Sequence, residues 1–498
     1  MTEPHGHRRF VRNVVATIGG RFAAIVLGLL LTTVFVRTLG LARYGTWSFF
    51  AAFVGHSSVF DFGLSVAVER AVARALASGA PSGISDTLNT GLAVAAGVCA
   101  VLWGGVMLLP SQLWAPLGDP AEVARCVWVL PLCLFASNVA AVCTAGLTGL
   151  QQATTVNALR FVGSSLSAGV LIALVGSEVE RLDLLLLIQA AGLVGTGVAA
   201  WLIVRHRVDA PLFFRPWAMQ RGIAGELVRL GGTVQASTIA VQAGDQAMRA
   251  VLGTMFGPAA MGTYDLTNRA AIALRSVSSA IPVVLVPFGQ ARLAVEGADG
   301  VARVHALAVK YLTLALVPGS AAAVLLVVPG LAVWLGPGVA TADSITMARM
   351  LLVMHAVLGV TAAATALGRS LGVVTPELVC SIAGTALGVA AVAAAPTALT
   401  AVAAFSALMV AAAAAQAWWL TRRLRLAWLR SVHIGLILVT GMTTTLAVLV
   451  ALALGVSTLP DLMLASVAAF AVAAATAWST GILTPAEVSV LGSMRRRT

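Results

Sequence analysis

The chain has 498 residues, of which 59% are hydrophobic and 10% charged, and its mean hydropathy is +0.96. A soluble domain carries about 25% charged residues, so a single water-soluble core, a disordered chain and a disulfide-stapled secreted domain are all excluded. The 31 Lys and Arg against 19 Asp and Glu give a net charge of +12, which in a membrane protein reads as cytoplasmic-loop bias before nucleic-acid binding.

Taken in chain order, the first apolar run follows Arg8, Arg9 and Arg12 and reaches about Val36 without a small-residue cleavage site. It is read as a first span and not as a cleaved signal. Thirteen more runs follow, near 44–67, 87–110, 125–149, 153–176, 182–204, 229–254, 262–288, 304–334, 344–368, 373–395, 397–420, 432–455 and 460–480. Each approaches the ~20 residues that cross a bilayer as a helix, and none alternates in the ten-residue segments of a barrel strand. Pro318 and Pro329 are expected to break or bend the overlong run 304–334, and Pro396 to form a tight turn between its neighbours. Cys99, Cys126, Cys133, Cys143 and Cys380 lie in or beside these runs without a metal or redox spacing, and read as small buried hydrophobes.

An even number of spans puts both termini on one side. With the N-terminus in the cytoplasm, 20 loop arginines fall inside and four outside, at Arg37, Arg43, Arg125 and Arg181. That asymmetry predicts cytoplasmic termini. The basic segment 205–228, broken by Pro211 and Pro216, reads as a linker between an N-terminal lobe (1–204) and a C-terminal lobe (229–421). Residues 422–498 then add two spans and a cytoplasmic tail. The expected architecture is an all-α polytopic membrane protein, with about 14 transmembrane helices in two pseudo-symmetric six-helix lobes plus two C-terminal helices.

The halves resemble each other at an offset of 217 residues: Gly40 matches Gly257, Ala42 Ala259, Gly45 Gly262, Thr46 Thr263 and Trp47 Tyr264. Each copy sits between the first and second span of its half. An even number of spans intervenes, so the repeats are parallel, the plan of transporters that place a site between paired lobes.

The run Arg37-Thr38-Leu39-Gly40-Leu41-Ala42-Arg43-Tyr44-Gly45 resembles the loop after the first helix of polysaccharide flippases. Asp61-Phe62-Gly63-Leu64 followed by Glu69-Arg70 is similar to their next helix, and Gly244-Asp245, Leu252-Gly253, Phe256-Gly257 and Gly262 with Tyr264 to their seventh-helix region. Together these resemble the multidrug/oligosaccharidyl-lipid/polysaccharide (MOP) exporter superfamily, in its Wzx-type polysaccharide flippase branch. The resemblance implies a central cavity, alternating access and outward carriage of lipid-linked glycans across the cell membrane, with no cofactor. Membrane lipids and other polysaccharide-assembly membrane proteins are the implied partners, and nucleic acid is not.

Charges at membrane depth are costly and face a cavity or a partner. The polar residues form helical stripes on the repeat-equivalent spans: Asn13, Thr17 and Arg21 in the first, Ser58 and Asp61 in the second, Asp245 and Arg249 in the seventh, and Asp265, Arg269 and Arg275 in the eighth. Guanidinium stays charged and forks onto phosphate oxygens, so Arg21, Arg249, Arg269 and Arg275 are the candidate ligands of a lipid diphosphate. Arg249 with Asp245 and Arg269 with Asp265 read equally well as i,i+4 ion pairs. Asp61 and Asp245 are candidates for coupling to Na⁺ or H⁺, with the membrane potential as the other source of drive. Arg160 and Arg349 are expected to snorkel to an interface, and His355 to pack through a hydrogen bond. No phosphate-loop or metal spacing occurs. A lipid-II flippase, a cation-coupled drug antiporter and a polytopic glycan polymerase or ligase stay open; the last lacks the large outside loop such enzymes use.

Overall fold

The computed structural model describes residues 4–55, 64–78, 82–110, 112, 114–176, 181–208, 215, 219–276, 281–336, 338–371, 373–424, 434–456 and 458–480. Within the helices some side chains lie outside that description, chiefly those of 4–25, 229–243 and 281–299. Among the described residues the chain forms fourteen α-helices, one short 3-10 turn and no strand. The helices are α1 (Pro4–Gly55), α2 (Leu64–Ala77), α3 (Ser82–Leu108), α4 (Pro120–Gly149), α5 (Ala153–Gly176), α6 (Leu182–Arg207) and α7 (Arg221–Phe256). Then follow α8 (Pro258–Arg275), α9 (Ile281–Leu335), α10 (Ala342–Ser370), α11 (Thr375–Ala393), α12 (Ala398–Arg423), α13 (Ile434–Ala453) and α14 (Leu459–Ser479).

Among the described residues, every apolar run read from the sequence lies mainly on helix. Ten helices among the described residues are long and apolar enough to cross a membrane, so the chain is an all-helical, multi-pass membrane protein. Of the rest, α2 has 14 residues, α8 carries Asp265, Arg269 and Arg275 within 18, and α13 offers a shorter apolar stretch, Ile437–Ala453. Pro318 and Pro329 do not end their helix: α9 runs through both, as membrane helices allow when neighbouring groups satisfy the freed carbonyls. At Pro396 the expected turn does form. Thr397 caps α12 reciprocally with Thr400, its hydroxyl accepting from the Thr400 N–H at 3.2 Å and its own N–H donating to Thr400 Oγ1 at 3.1 Å.

The chain divides into two compact units, residues 1–265 and 266–498, with the boundary inside α8. In the first unit α4 is the central helix, packed against α1, α2, α3, α5 and α6. Its core joins Leu64, Val68, Ile84, Leu88, Val142, Leu147, Val204 and Leu227. From the basic segment ahead of α7, the Arg215 N–H donates to Asn89 Oδ1 at 2.7 Å and the Gln220 N–H to Thr90 Oγ1 at 3.2 Å, both on α3.

Two glycines turn the chain within the first unit. Gly40, inside α1, has φ 77° and ψ 166°, and Gly257, between α7 and α8, has φ 88° and ψ 166°. Only glycine adopts this region readily, so each helix changes direction at one residue and no separate loop is needed. Just beyond, Gly45 and Gly262 bring the two segments together. A Cβ on Gly45 would stand 2.1 Å from the Pro258 carbonyl oxygen, and one on Gly262 2.4 Å from that of Leu41. Leu41 and Pro258 are themselves 217 residues apart, so the contact is reciprocal about the sequence repeat.

In the second unit α10 packs against α9 and α12, α11 against α12, and α13 and α14 against α9. Ala308, Leu312, Leu316 and Ala363 form one core, and Ala322, Leu326, Val448, Ala465 and Ala469 another.

Candidate functional site

The most highly charged buried cluster among the described residues lies in the first unit. Helix α7 presents Asp245, Gln246 and Arg249 one turn apart, α8 adds Tyr264 and Asp265, and α1 adds Tyr44 from beyond its glycine turn. Arg249 is 3% exposed, Asp265 1% and Tyr44 0%. The Arg249 guanidinium bridges both carboxylates, with Nη1 at 2.7 Å from Asp245 Oδ2 and Nη2 at 3.1 Å from Asp265 Oδ1. Arg249 Nε also donates to Asp265 Oδ1 at 3.2 Å. Each carboxylate accepts a phenol: Tyr44 Oη donates to Asp265 Oδ2 at 2.6 Å, and Tyr264 Oη to Asp245 Oδ1 at 2.9 Å. A buried ion is tolerated only when paired and hydrogen-bonded, and these five side chains meet that condition together.

Of the residues singled out in the sequence, the structure brings Asp245 and Arg249 together as an i,i+4 ion pair, and joins Asp265 to the same guanidinium. Asp245 is the more open acid, its side chain 25% exposed against 1% for Asp265. Arg269 and Arg275 lie on the part of α8 that belongs to the second unit, half-buried and engaged with other groups. Arg21 lies on α1 with its side chain outside the described residues, and Asp61 lies outside them altogether. In the second unit His355 meets Asn268 Oδ1 through Nε2 at 2.8 Å. Arg349 Nε donates to the Val324 carbonyl at 3.2 Å, and Arg160 Nη2 to Thr144 Oγ1 at 3.3 Å.

Tyr44, Tyr264 and the Asp265–Arg249 pairing are absent from the sequence-derived site. Both tyrosines stand inside the repeated motif, so a signal existed. A phenol aimed at a membrane carboxylate was the missing inference. Arg43, next to Tyr44, pairs with Glu122 at the start of α4, a further link between the motif and its surroundings.

A helical chain of many apolar spans, with an internal sequence repeat and a charge network on the repeat-equivalent helices, defines the class: a multi-pass membrane protein of transporter type. Residues 10–289 match the model of the polysaccharide biosynthesis protein family, more than half of the chain, and the chain belongs to that family. Its fold is that of the MOP superfamily. It is similar to a lipid II flippase, MurJ, in an inward closed conformation, with TM-score 0.72 and 10% identity over 94% of this chain and 100% of that one. It is likewise similar to an inward-facing multidrug resistance MATE family transporter, with TM-score 0.64 and 16% identity over 82% and 96%. A MOP superfamily transporter from Pyrococcus furiosus follows, at 0.53 and 16% over 81% and 95%. No curated protein sequence matches the chain.

Proposed function

We propose that the chain is a flippase carrying a lipid-diphosphate-linked oligosaccharide or polysaccharide precursor from the cytoplasmic to the outer leaflet of the cell membrane. It works by alternating access and leaves its cargo chemically unchanged. The observation that carries the reading is the concentration of arginine on the repeat-equivalent helices of a chain in a polysaccharide biosynthesis family. A diphosphate at the lipid–sugar junction loses its hydration on entering a low-dielectric path, and guanidinium forks replace that hydration at any physiological pH. Arg21, Arg269 and Arg275 are the other proposed phosphate ligands. Arg249 shares its charge with Asp245 and Asp265, which lets the network redistribute as cargo passes. Asp245, the more open acid, is the better placed of the two to exchange a proton or Na⁺.

The test is transport by the purified full-length protein in liposomes loaded with a fluorescent lipid-diphosphate sugar. Wild type should expose the sugar to an external glycosidase. A charge-assisted hydrogen bond contributes about 1.5–3 kcal/mol, so Arg21→Ala or Arg275→Ala should cut transport about tenfold or more. Lysine at either position should restore only part, because the fork is lost. Normal transport by a well-folded Arg21→Ala/Arg275→Ala double variant refutes the reading.

A further inference from the structure

The connection between α3 and α4 touches the first helices of both repeats. It carries the 3-10 turn Ala115–Leu117, and Gly118 and Asp119 lead from that turn into α4. The loop charges predict that this end of the molecule faces outward. The turn meets Thr46, in the repeated motif on α1, and Gly253, on α7. The Thr46 hydroxyl donates to the Leu117 carbonyl at 2.6 Å, and both residues are buried. The Leu117 side chain enters the room that Gly253 leaves on α7. Its Cδ2 atom lies 2.7 Å from where a Cβ of Gly253 would stand, and Met261 Sδ lies 3.0 Å from the same point.

The turn is held differently on its two sides. Toward α1 the links are polar and close. Besides the Thr46 hydrogen bond, a Cβ on Gly118 would stand 2.7 Å from Thr46 Oγ1, and Arg43 forms an ion pair with Glu122 in the first turn of α4. Asp119 fixes that first turn by accepting from the Glu122 N–H at 2.9 Å. Toward α7 the link is apolar: Leu117 in its glycine notch. Separating the turn from α1 strands a buried carbonyl and parts a charged pair, whereas Leu117 leaves the notch with no polar group unpaired.

We propose that the Ala115–Leu117 turn is a clasp across this end of the first unit, which stays with α1 and withdraws Leu117 from Gly253 each time the end opens. The inference rests on the alternating-access reading, and it assigns the moving joint to one side chain and one glycine. Thr46 is a positioning residue: its hydrogen bond holds the Leu117 backbone, so the side chain returns to the same notch.

Two crosslinks in the full-length protein, reconstituted in liposomes, separate the joint that opens from the one that does not. In Leu117→Cys/Gly253→Cys a short bifunctional thiol reagent should bridge the moving joint and stop glycan transport. In Arg43→Cys/Glu122→Cys the same reagent should bridge groups that move together and leave transport unchanged. Each variant before bridging is its own reference, and wild type treated alike reports reaction at the native cysteines. A second measurement needs no cargo. Ser48 is 0% exposed and donates to the Gly45 carbonyl, so Ser48→Cys should react with a membrane-impermeant maleimide only while the end is open. Adding Leu117→Ala should speed that labelling about tenfold or more, as expected for a lost buried leucine. Native Cys143, in the core of the same unit, should label no faster. Transport that survives the bridge between 117 and 253, or equal arrest by both bridges, overturns the clasp. Labelling at position 48 unmoved by Leu117→Ala, or matched by equal acceleration at Cys143, overturns it too. If Leu117→Ala speeds labelling at position 48 alone while wild-type liposomes carry no glycan, the clasp stands and the flippase reading falls. Glycan transport through a protein bridged between 117 and 253 gives the reverse.

Discussion

At the residue scale the central object is one guanidinium between two carboxylates. Removing only Arg249 takes from Asp245 and Asp265 the cation they share, Asp265 being 1% exposed. Breaking a buried pair by taking one partner away costs about 3–5 kcal/mol, far more than the net worth of the intact pair. Arg249→Met is therefore expected to lower the thermal midpoint of the detergent-purified protein sharply. The triple variant Arg249→Met/Asp245→Asn/Asp265→Asn should recover most of that loss, since no uncompensated charge is left. A triple variant no more stable than the single one refutes this account of the network. Tyr44→Phe removes one hydrogen bond to a carboxylate and should cost about 1.5–3 kcal/mol in the same assay.

At the scale of elements, the Gly40 and Gly257 turns place the beginnings of two repeats side by side, and the Gly45–Gly262 contact fixes how closely they approach. Gly45→Ala puts a methyl 2.1 Å from a carbonyl oxygen that belongs to the backbone and cannot rotate away, so the helices must separate. Gly262→Ala meets the matching carbonyl at 2.4 Å. Each variant should lower the thermal midpoint. The double variant should fall well short of the sum, because both act on one contact and neighbouring sites are not additive. Full additivity would show the contact to be two independent ones. The helices themselves were legible in the sequence, since a run of about 20 apolar residues has few other fates. The repeat was legible too, because its glycines recur where only glycine fits the backbone. What the sequence did not disclose was where helices meet: Tyr44 and Asp265 are 221 residues apart, and nothing local marks them as partners. Local rules leave both a break and a bend open at Pro318 and Pro329, and α9 is continuous through the two.

At the scale of the whole molecule, orientation follows from charge more than from packing. Positive residues in short loops resist translocation, and acidic ones have little influence. With 20 loop arginines on one side and four on the other, a single outlying loop cannot reverse the scheme. The expectation is that a reporter fused after Arg215 or after Thr498 reads cytoplasm, and one inserted after Asp119 or after Asp343 reads the outer face. The three arginines at 495–497 provide a sharper check, because late charges can flip the last span of a chain. Replacing them with glutamine should leave the C-terminus inside, since Arg422, Arg423, Arg425 and Arg430 are expected to keep the preceding segment in the cytoplasm. Replacing all seven should release the last two spans, with the C-terminal reporter then split between both faces. A C-terminal reporter outside the cell in the unmodified chain would require an odd number of spans. The parallel relation between the repeats depends instead on the even number of spans between Gly40 and Gly257, so it is the reporter after Arg215, read at the outer face, that would remove it.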